Sequence, residues 1–220
     1  MLLTTGPTGS GKTTTLYTAL DLGNDGLKKI ITVEDPVEYK IAGVVQSQVN
    51  SEIGYTFANA LRSILRHDPD VILIGEMRDT TSIRLALTAA ETGHLVFGTL
   101  HTSSAAKTID RVVDVFPAAE KEMVRSMLSE SLRAVISQTL CKTKDGEGRV
   151  AAHEIMIGTP AIRNLIRENK VAQMYSAIQT GQNVGMQTLD QNLQDLVSRG
   201  VISSGEARKK AANKDNFLGA

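Results

Sequence analysis

Eight consecutive residues near the start of the chain match the pattern of a phosphate-binding loop. The pattern G-x-x-x-x-G-K-[ST] is met at every required position by Gly6, Pro7, Thr8, Gly9, Ser10, Gly11, Lys12 and Thr13. The glycines let the backbone bend so that its N–H groups point at phosphate oxygens. The lysine is expected to reach the β- and γ-phosphates, and the threonine hydroxyl to contact Mg²⁺. We predict an ATP site here, with Thr14 as a further binding residue on the first helical turn.

Carboxylates follow two predicted strands and are candidates for orienting a water molecule. Glu34, Asp35 and Glu38 come at the end of the second strand, and Glu76 closes the third clear strand. Ligands of α/β sheets bind at the carboxyl ends of the strands. We predict Glu38 as the general base and Glu76 as the group that holds Mg²⁺, partly through water. The two roles are open to exchange, and a solvated acidic loop is the alternative for the first group.

Histidines and arginines are candidates for contacting the γ-phosphate. His94 precedes the strand predicted at 95–100 and His101 follows it. A histidine at a strand end can hydrogen-bond the γ-phosphate and report its loss, but either residue can equally be part of the scaffold. Arg78 is the candidate for supplying positive charge. It is one of four arginines that can each reach a phosphate in a neighbouring subunit or form a plain salt bridge: Arg62, Arg66, Arg78 and Arg84.

Strands that alternate with helices predict a three-layer α/β fold around a mostly parallel sheet. Helices are predicted at 105–115 and 118–136, followed by a hairpin that pairs 139–142 with 149–157. From residue 159 the pattern is helical only.

The chain is divided at residue 157 in this interpretation. We assign 1–157 to the nucleotide-binding core and 158–220 to a small C-terminal helical subdomain, with a frayed tail after Asn213.

Composition limits the classes of function. Lys plus Arg and Asp plus Glu both number 24, aromatic residues make up 4% and tryptophan is absent, which argues against nucleic acid as a partner. The single cysteine, Cys141, excludes an internal disulfide and a four-cysteine zinc site and suits a reducing cytoplasm. No apolar run approaches the ~18 residues of a membrane span. We expect a soluble protein without a signal peptide.

Four segments in fixed order resemble the motifs of the secretion ATPases of type II and type IV pilus systems. The phosphate loop resembles their Walker A motif, 31–39 their Asp box, 70–78 their Walker B motif and 92–102 their His box. The resemblance spans nearly all of the chain. It implies a RecA-like P-loop core that hydrolyses ATP with Mg²⁺. It also implies a homo-hexamer in the full-length form, bound peripherally at the cytoplasmic face of the inner membrane to a pilus platform protein.

Within that family, two branches are represented in the chain. Residues 153–156 and 161–168 are closest to the motors that retract type IV pili, whereas 37–50 are closer to the assembly and type II branch. We therefore expect a motor for pilus retraction and twitching motility, with pilus assembly or type II secretion as the alternative. A nucleic-acid translocase on the same core, and a regulatory nucleotide-binding module without turnover, are hypotheses from other classes.

The two ends of the chain carry further expectations. Family members have an N-terminal PAS-like domain, and Met1 to Thr5 alone precede the phosphate loop here, so this chain is expected to be mostly monomeric and to hydrolyse ATP slowly. The retraction-type segment 161–168 is predicted to be an amphipathic helix. It is expected to bury Ile162, Leu165 and Ile166 and to expose Arg163, Arg167 and Glu168.

Overall fold

The computed structural model describes residues 1–217 and is built on one sheet of seven strands. The strands are β1 (Leu2–Thr5), β2 (Ile30–Glu34), β3 (Val44–Gln48), β4 (Val71–Ile74), β5 (Leu95–Leu100), β6 (Ala134–Lys142) and β7 (Arg149–Ile157). They lie in the order β3-β2-β4-β5-β1-β6-β7. All neighbours run parallel except β7, which is antiparallel to β6. The short strand β3 forms one edge of the sheet.

Helices connect the strands except between β2 and β3 and between β6 and β7, and further helices follow the last strand. They are α1 (Lys12–Gly23), α2 (Phe57–Ile64), α3 (Thr80–Glu91), α4 (Ala105–Asp114), α5 (Lys121–Ser131), α6 (Pro160–Arg167), α7 (Met174–Thr180), α8 (Leu189–Ser198) and α9 (Ser204–Lys210). Across residues 1–217, no helix combines the length and the apolar character that a bilayer crossing requires.

The sheet is covered by helices on both faces because its strands are apolar at successive positions. Ile72 and Ile74 of β4 share one core cluster with residues of α2, α3, α4 and α5. Their neighbours Val71 and Leu73 point the other way and share a second cluster with Leu16 and Leu20 of α1. Successive side chains of a strand point to opposite faces. The result is the predicted arrangement of three layers.

The end of the helix predicted at 118–136 was wrong. Helix α5 ends at Ser131, and β6 begins at Ala134. The helical spacing of apolar residues continues through Val135 and Ile136, but both are β-branched and fit a strand. β6 pairs with β1 in parallel, with Leu2 opposite Ala134, so sheet pairing outweighs the local helical pattern.

The C-terminal helices pack onto the sheet in two places. Helices α6 and α7 add Ile162, Ile166 and Met174 to the main core cluster. Helices α8 and α9 form a separate cluster with residues of β6 and β7. The division of the chain at residue 157 stays a prediction.

Two details of the C-terminal part differ from the expectations. Lys214–Phe217 form a 3-10 turn with Phe217 buried, so fraying after Asn213 was wrong for these residues. The apolar ring packs in the cluster of α8 and α9, which offsets the cost of ordering the turn. Residues 218–220 lie outside the described residues. Arg163 of α6 is half-buried rather than exposed, because its Nε donates a hydrogen bond to the Gly158 carbonyl at 2.9 Å.

Gly158 provides a test of this packing. It joins β7 to α6, and a Cβ added there would lie 2.3 Å from the carbonyl oxygen of Leu132. The obstructing atom belongs to the backbone and cannot rotate away. We expect Gly158→Ala to lower the free energy of unfolding by about 2 kcal/mol or more, measured by urea denaturation.

Gly23→Ala is the matched control. Gly23 ends α1, and no atom of the described residues lies within 4 Å of a Cβ added there. This substitution should leave stability unchanged or raise it by up to about 0.5 kcal/mol. Similar effects of the two substitutions would contradict the steric account.

Candidate functional site

The phosphate loop, residues 6–13, connects β1 to α1 and closes around its own lysine. Nζ of Lys12 donates hydrogen bonds to the carbonyl of Gly6 at 2.7 Å and to that of Pro7 at 3.0 Å. Burial lowers the pKa of Lys12 below its ordinary value, and the nearby negative charge of Glu76 partly offsets this. The ammonium is therefore held over the loop, within electrostatic range of the carboxylate that follows β4.

The first turn of α1 adds a set of open hydrogen-bond donors. Gly11 occupies the N-cap position and provides no side-chain hydrogen bond, so side chains do not cap the helix N-terminus there. Free N–H groups and the helix dipole favour an anion at such a position. The predicted nucleotide-binding residues lie together on this loop and turn: Gly6, Pro7, Thr8, Gly9, Ser10, Gly11, Lys12, Thr13 and Thr14.

A cluster of Glu76, Arg78 and His101 lies beside the loop. The carboxylate of Glu76, with its side chain 16% exposed, forms an ion pair with Nε of Arg78 and lies 3.0 Å from Nε2 of His101. The hydrogen bond and the charge of Glu76 raise the pKa of Arg78. β4, β5 and β1 are neighbours in the sheet. The residues that follow their carboxyl ends therefore meet at one edge.

Hydroxyl groups fix the segment that carries His101. The Thr5 hydroxyl, at the end of β1, lies 2.6 Å from both the carbonyl oxygen and the hydroxyl of Thr102. The Thr102 hydroxyl in turn lies 2.7 Å from that of Thr108 in α4. These contacts tie the start of the phosphate loop to the residue next to His101.

His94 lies at the opposite edge of the sheet, because it precedes β5 whereas His101 follows it. Its Nδ1 is 2.9 Å from the Ala89 carbonyl oxygen and 3.2 Å from the Thr92 hydroxyl. Within this chain the structure does not bring His94 together with the phosphate loop. Both contacts are with neighbouring residues of the same segment, as expected if His94 is part of the scaffold.

Glu38 lies on the exposed segment between β2 and β3. Its backbone N–H donates to the hydroxyl of Tyr17 in α1 at 3.3 Å. Two glutamines of β3 hold the same segment, since Gln48 accepts from the Val37 N–H at 3.1 Å and Gln46 from the Ile41 N–H at 2.8 Å. The backbone around Glu38 is thus anchored, while the residue itself remains exposed.

Glu34 differs from Glu38 in that it is buried. It is buried at the end of β2, where it accepts hydrogen bonds from the hydroxyls of Tyr17 and Thr32. Burial raises the pKa of Tyr17, and the hydrogen bond to Glu34 raises it further. Glu34 therefore belongs to an internal network that links α1 to β2, and only Asp35 and Glu38 fit the solvated loop considered above.

Two other arginines of the predicted set have contacts of their own. Arg84 forms an ion pair with Glu120, and its guanidinium lies 5.0 Å from the centre of the Phe116 ring. Arg62 donates to the Asn59 side chain at 3.1 Å. Arg78 is the member of the set that the structure places beside the phosphate loop.

Gln138 of β6 contacts the phosphate loop, although no sequence pattern singled it out. Its Nε2 donates to the Ser10 carbonyl at 2.7 Å, and its Oε1 accepts from the Thr15 hydroxyl at 2.9 Å. The amide in the middle of β6 is the sequence signal that could have found it, because a buried amide requires partners.

A cavity of about 240 Å³ adjoins the loop on the side of β6 and α9. Residues of the loop, of β6 and β7 and of α9 line it, among them Pro7, Ser10, Leu140, Lys142, Arg149 and Lys210. Leu140 gives its wall an apolar part, and three cationic side chains line it together with the carboxylate of Glu206. Such a wall suits an aromatic base linked to an anion.

Comparisons with known proteins agree with this geometry. The chain is 68% identical to the type IV pilus retraction ATPase PilT of Pseudomonas aeruginosa, over 99% of this chain and 64% of that protein. It is 61% identical to a twitching motility protein of Neisseria gonorrhoeae, over 99% of this chain and 59% of that protein. A crystal structure of the pilus retraction motor PilT with bound ADP superposes with a TM-score of 0.88 at 47% sequence identity. The superposition covers 97% of this chain and 62% of that one.

The chain thus spans less than two thirds of the length of these relatives. The likeness in structure confirms the RecA-like P-loop fold class expected from the sequence. Residues 1–209 match the family described as Type II/IV secretion system protein. A match over most of the chain, together with a phosphate loop set beside the Glu76 cluster, shows that the chain belongs to the Type II/IV secretion system protein family.

Proposed function

We propose that this chain is the nucleotide-hydrolysing part of an ATP-driven motor that retracts type IV pili and so powers twitching motility. The observation that carries the proposal is the meeting of Lys12, Glu76 and His101 at the carboxyl edge of three adjacent strands. The names of the P. aeruginosa and N. gonorrhoeae relatives support the choice of retraction.

ATP is proposed to bind with its phosphates in the loop 6–13 and its base in the adjoining cavity. The PilT crystal structure that superposes on this chain contains ADP. The loop offers backbone donors and the Lys12 ammonium to the phosphates, and Leu140 offers the base an apolar surface.

The donor set also fits Mg²⁺. The Thr13 hydroxyl and the Glu76 carboxylate are hard oxygen ligands, and Mg²⁺ is usually bound by one or two carboxylates, substrate phosphates and water. Glu76 already contacts Arg78 and His101, which favours contact with the cation through water. When bound, the cation neutralises charge on the β- and γ-phosphates.

Glu38, Lys12 and Arg78 have different proposed roles in hydrolysis. Glu38 is proposed to accept the proton of the attacking water, since it is exposed on an anchored segment and Glu76 is engaged with two other side chains. Lys12 neutralises charge on the phosphates. Arg78, whose side chain is 73% exposed, is proposed to exchange its ion pair with Glu76 for a phosphate of its own or of a neighbouring site.

His101 is proposed to report the state of the γ-phosphate. It contacts Glu76 on one side, and its neighbour Thr102 is bonded to β1 and α4 on the other. A shift at the γ-phosphate is thereby transmitted to α4. His94 is proposed as a scaffold residue, in line with its contacts at the far edge of the sheet.

The whole protein is proposed to act as a homo-hexamer at the cytoplasmic face of the inner membrane, where a platform protein of the pilus receives the force. Pilus assembly or type II secretion is the alternative, because residues 37–50 are closer to that branch.

The division of roles between the two carboxylates is open to test. Glu38→Gln should retain Mg-ATP binding and lower the rate of phosphate release by about 10²-fold or more, because the general base is lost. Single-turnover phosphate release with protein in excess measures this step even where steady-state turnover is slow. Lys12→Ala is the control for the site as a whole and should lose both binding and hydrolysis.

Glu76→Gln completes the comparison. We expect it to raise the Mg²⁺ concentration that gives half of the maximal rate more than it slows the reaction at saturating Mg²⁺. If Glu76→Gln abolishes hydrolysis and Glu38→Gln does not, the two roles are reversed. If Lys12→Ala hydrolyses ATP at the wild-type rate, the phosphate loop is not the nucleotide site.

The retraction role is tested on the exposed face of α6. Ala161 is exposed in α6, far in sequence from all four motifs. We expect Ala161→Leu to leave ATP hydrolysis within about twofold, as an exposed substitution away from the site does. The same variant should impair retraction. The measurement is twitching motility of a strain in which this chain replaces the matching segment of the P. aeruginosa relative.

Ala119→Leu is the matched control, since Ala119 is also exposed but lies outside α6. It should affect neither activity. Parallel loss of hydrolysis and motility in Ala161→Leu would show that the α6 face serves only folding.

A further inference from the structure

The side chain of Gln138 contacts the phosphate loop from β6, a strand outside all four motifs. Gln138 is 3% exposed, and both polar atoms of its amide are used. The Nε2 atom donates to the Ser10 carbonyl within the loop, and the Oε1 atom accepts from Thr15 in the following helical turn. One amide thus bridges the loop and the helix whose N-terminus faces the phosphates.

The side chain of Gln138 has to place a donor toward the Ser10 carbonyl and an acceptor toward the Thr15 hydroxyl. The Ser10 carbonyl accepts only, so the group facing it has to donate, and the Thr15 hydroxyl donates to the other side. Asparagine is one methylene shorter and cannot span both partners without a shift of the strand. Methionine has the length of glutamine but no hydrogen-bonding groups to match, and it leaves the Ser10 carbonyl without this partner.

The backbone of the same residue limits the loop from a second direction. The carbonyl oxygen of Gln138 lies 2.2 Å from where a Cβ of Gly6 would stand, and Nε2 lies 3.2 Å from where a Cβ of Gly11 would stand. The first and last glycines of the loop are therefore packed against one strand residue. Its side chain and its main chain together determine where the loop can lie.

From these contacts we infer that Gln138 is a positioning residue for nucleotide binding, holding the loop in the shape that points its N–H groups at the phosphates. It does not touch the nucleotide in this account and acts through Ser10 and Thr15. The inference rests on the proposed function only in so far as the loop binds a nucleotide.

Gln138→Glu tests the donor requirement directly. An ionised carboxylate turns an acceptor toward the Ser10 carbonyl, whereas a protonated carboxyl donates to it as the amide does. The probe is Mg-ADP, with Kd measured by titration calorimetry from about pH 8.5 to about pH 5.5 and divided by the wild-type Kd at each pH. We expect a ratio of about 10 or more at the high end, which falls toward 1 as the carboxyl takes up its proton.

Gln138→Met and Thr15→Val separate positioning from packing. Gln138→Met keeps the length but cannot regain a donor, so its Kd ratio should be raised and independent of pH. Thr15→Val removes one partner with little change of shape and should raise Kd by about threefold to tenfold, the effect of one lost hydrogen bond. It serves as the deciding variant if Gln138→Glu does not fold.

The outcomes distinguish the inference from the proposed function. Wild-type protein that fails to bind Mg-ADP would overturn the proposed function before any variant is compared. Wild-type binding with ratios near 1 for Gln138→Glu at every pH, or with a deficit in Gln138→Glu that pH does not change, would overturn the positioning role alone. Thr15→Val that binds Mg-ADP as tightly as wild type would do the same.

Discussion

The close approach of Gly6 to the carbonyl of Gln138 is the constraint on which the site depends. β1 lies between β5 and β6, with Thr5 opposite Leu100 on one side and Ser137 on the other. The chain leaves β1 directly against β6, where a Cβ on Gly6 would stand 2.2 Å from the Gln138 oxygen. Only glycine fits there, and its φ of 145° is one that other residues rarely adopt. The path of the loop, and hence the position of Lys12, follows from this contact.

The chemistry of the site follows from the order of the strands. Because β4, β5 and β1 are adjacent, Glu76, His101 and the phosphate loop meet although they are far apart in sequence. Glu76 holds Arg78 by charge and lies 3.0 Å from Nε2 of His101. The threonines around Thr102 hold the segment of His101 by hydrogen bonds. The Glu38 segment is anchored separately, through Tyr17 and two glutamines of β3. Two carboxylates with different anchors can take different roles.

Much of this arrangement could be predicted from the sequence, because its signals are local. The spacing of glycines and Lys12 predicted the loop, and apolar runs predicted β4 and β5 together with the polar residues at their ends. The rest depends on contacts between distant segments. Gln138 and Thr15 meet only when β6 lies beside β1, and no local pattern shows that Glu34 is buried while Glu38 is exposed. The start of β6 was missed for the same reason, since its pairing with β1 outweighs a helical pattern. His94 and His101 look alike in sequence, but the direction of β5 places them at opposite edges.

Nucleotide binding by Gly6→Ala, compared with Gly9→Ala, tests most directly whether the contact with β6 governs the site. Both glycines have positive φ, so both substitutions carry backbone strain, but no atom of the described residues lies within 4 Å of a Cβ at Gly9. We expect Gly6→Ala to lose about 100-fold or more in Mg-ADP affinity while its far-ultraviolet circular dichroism stays that of the wild type. Gly9→Ala should stay within about tenfold of wild type. Equal losses of affinity in the two variants, or a Gly6→Ala protein that binds as wild type, would show that the contact with β6 does not govern the site.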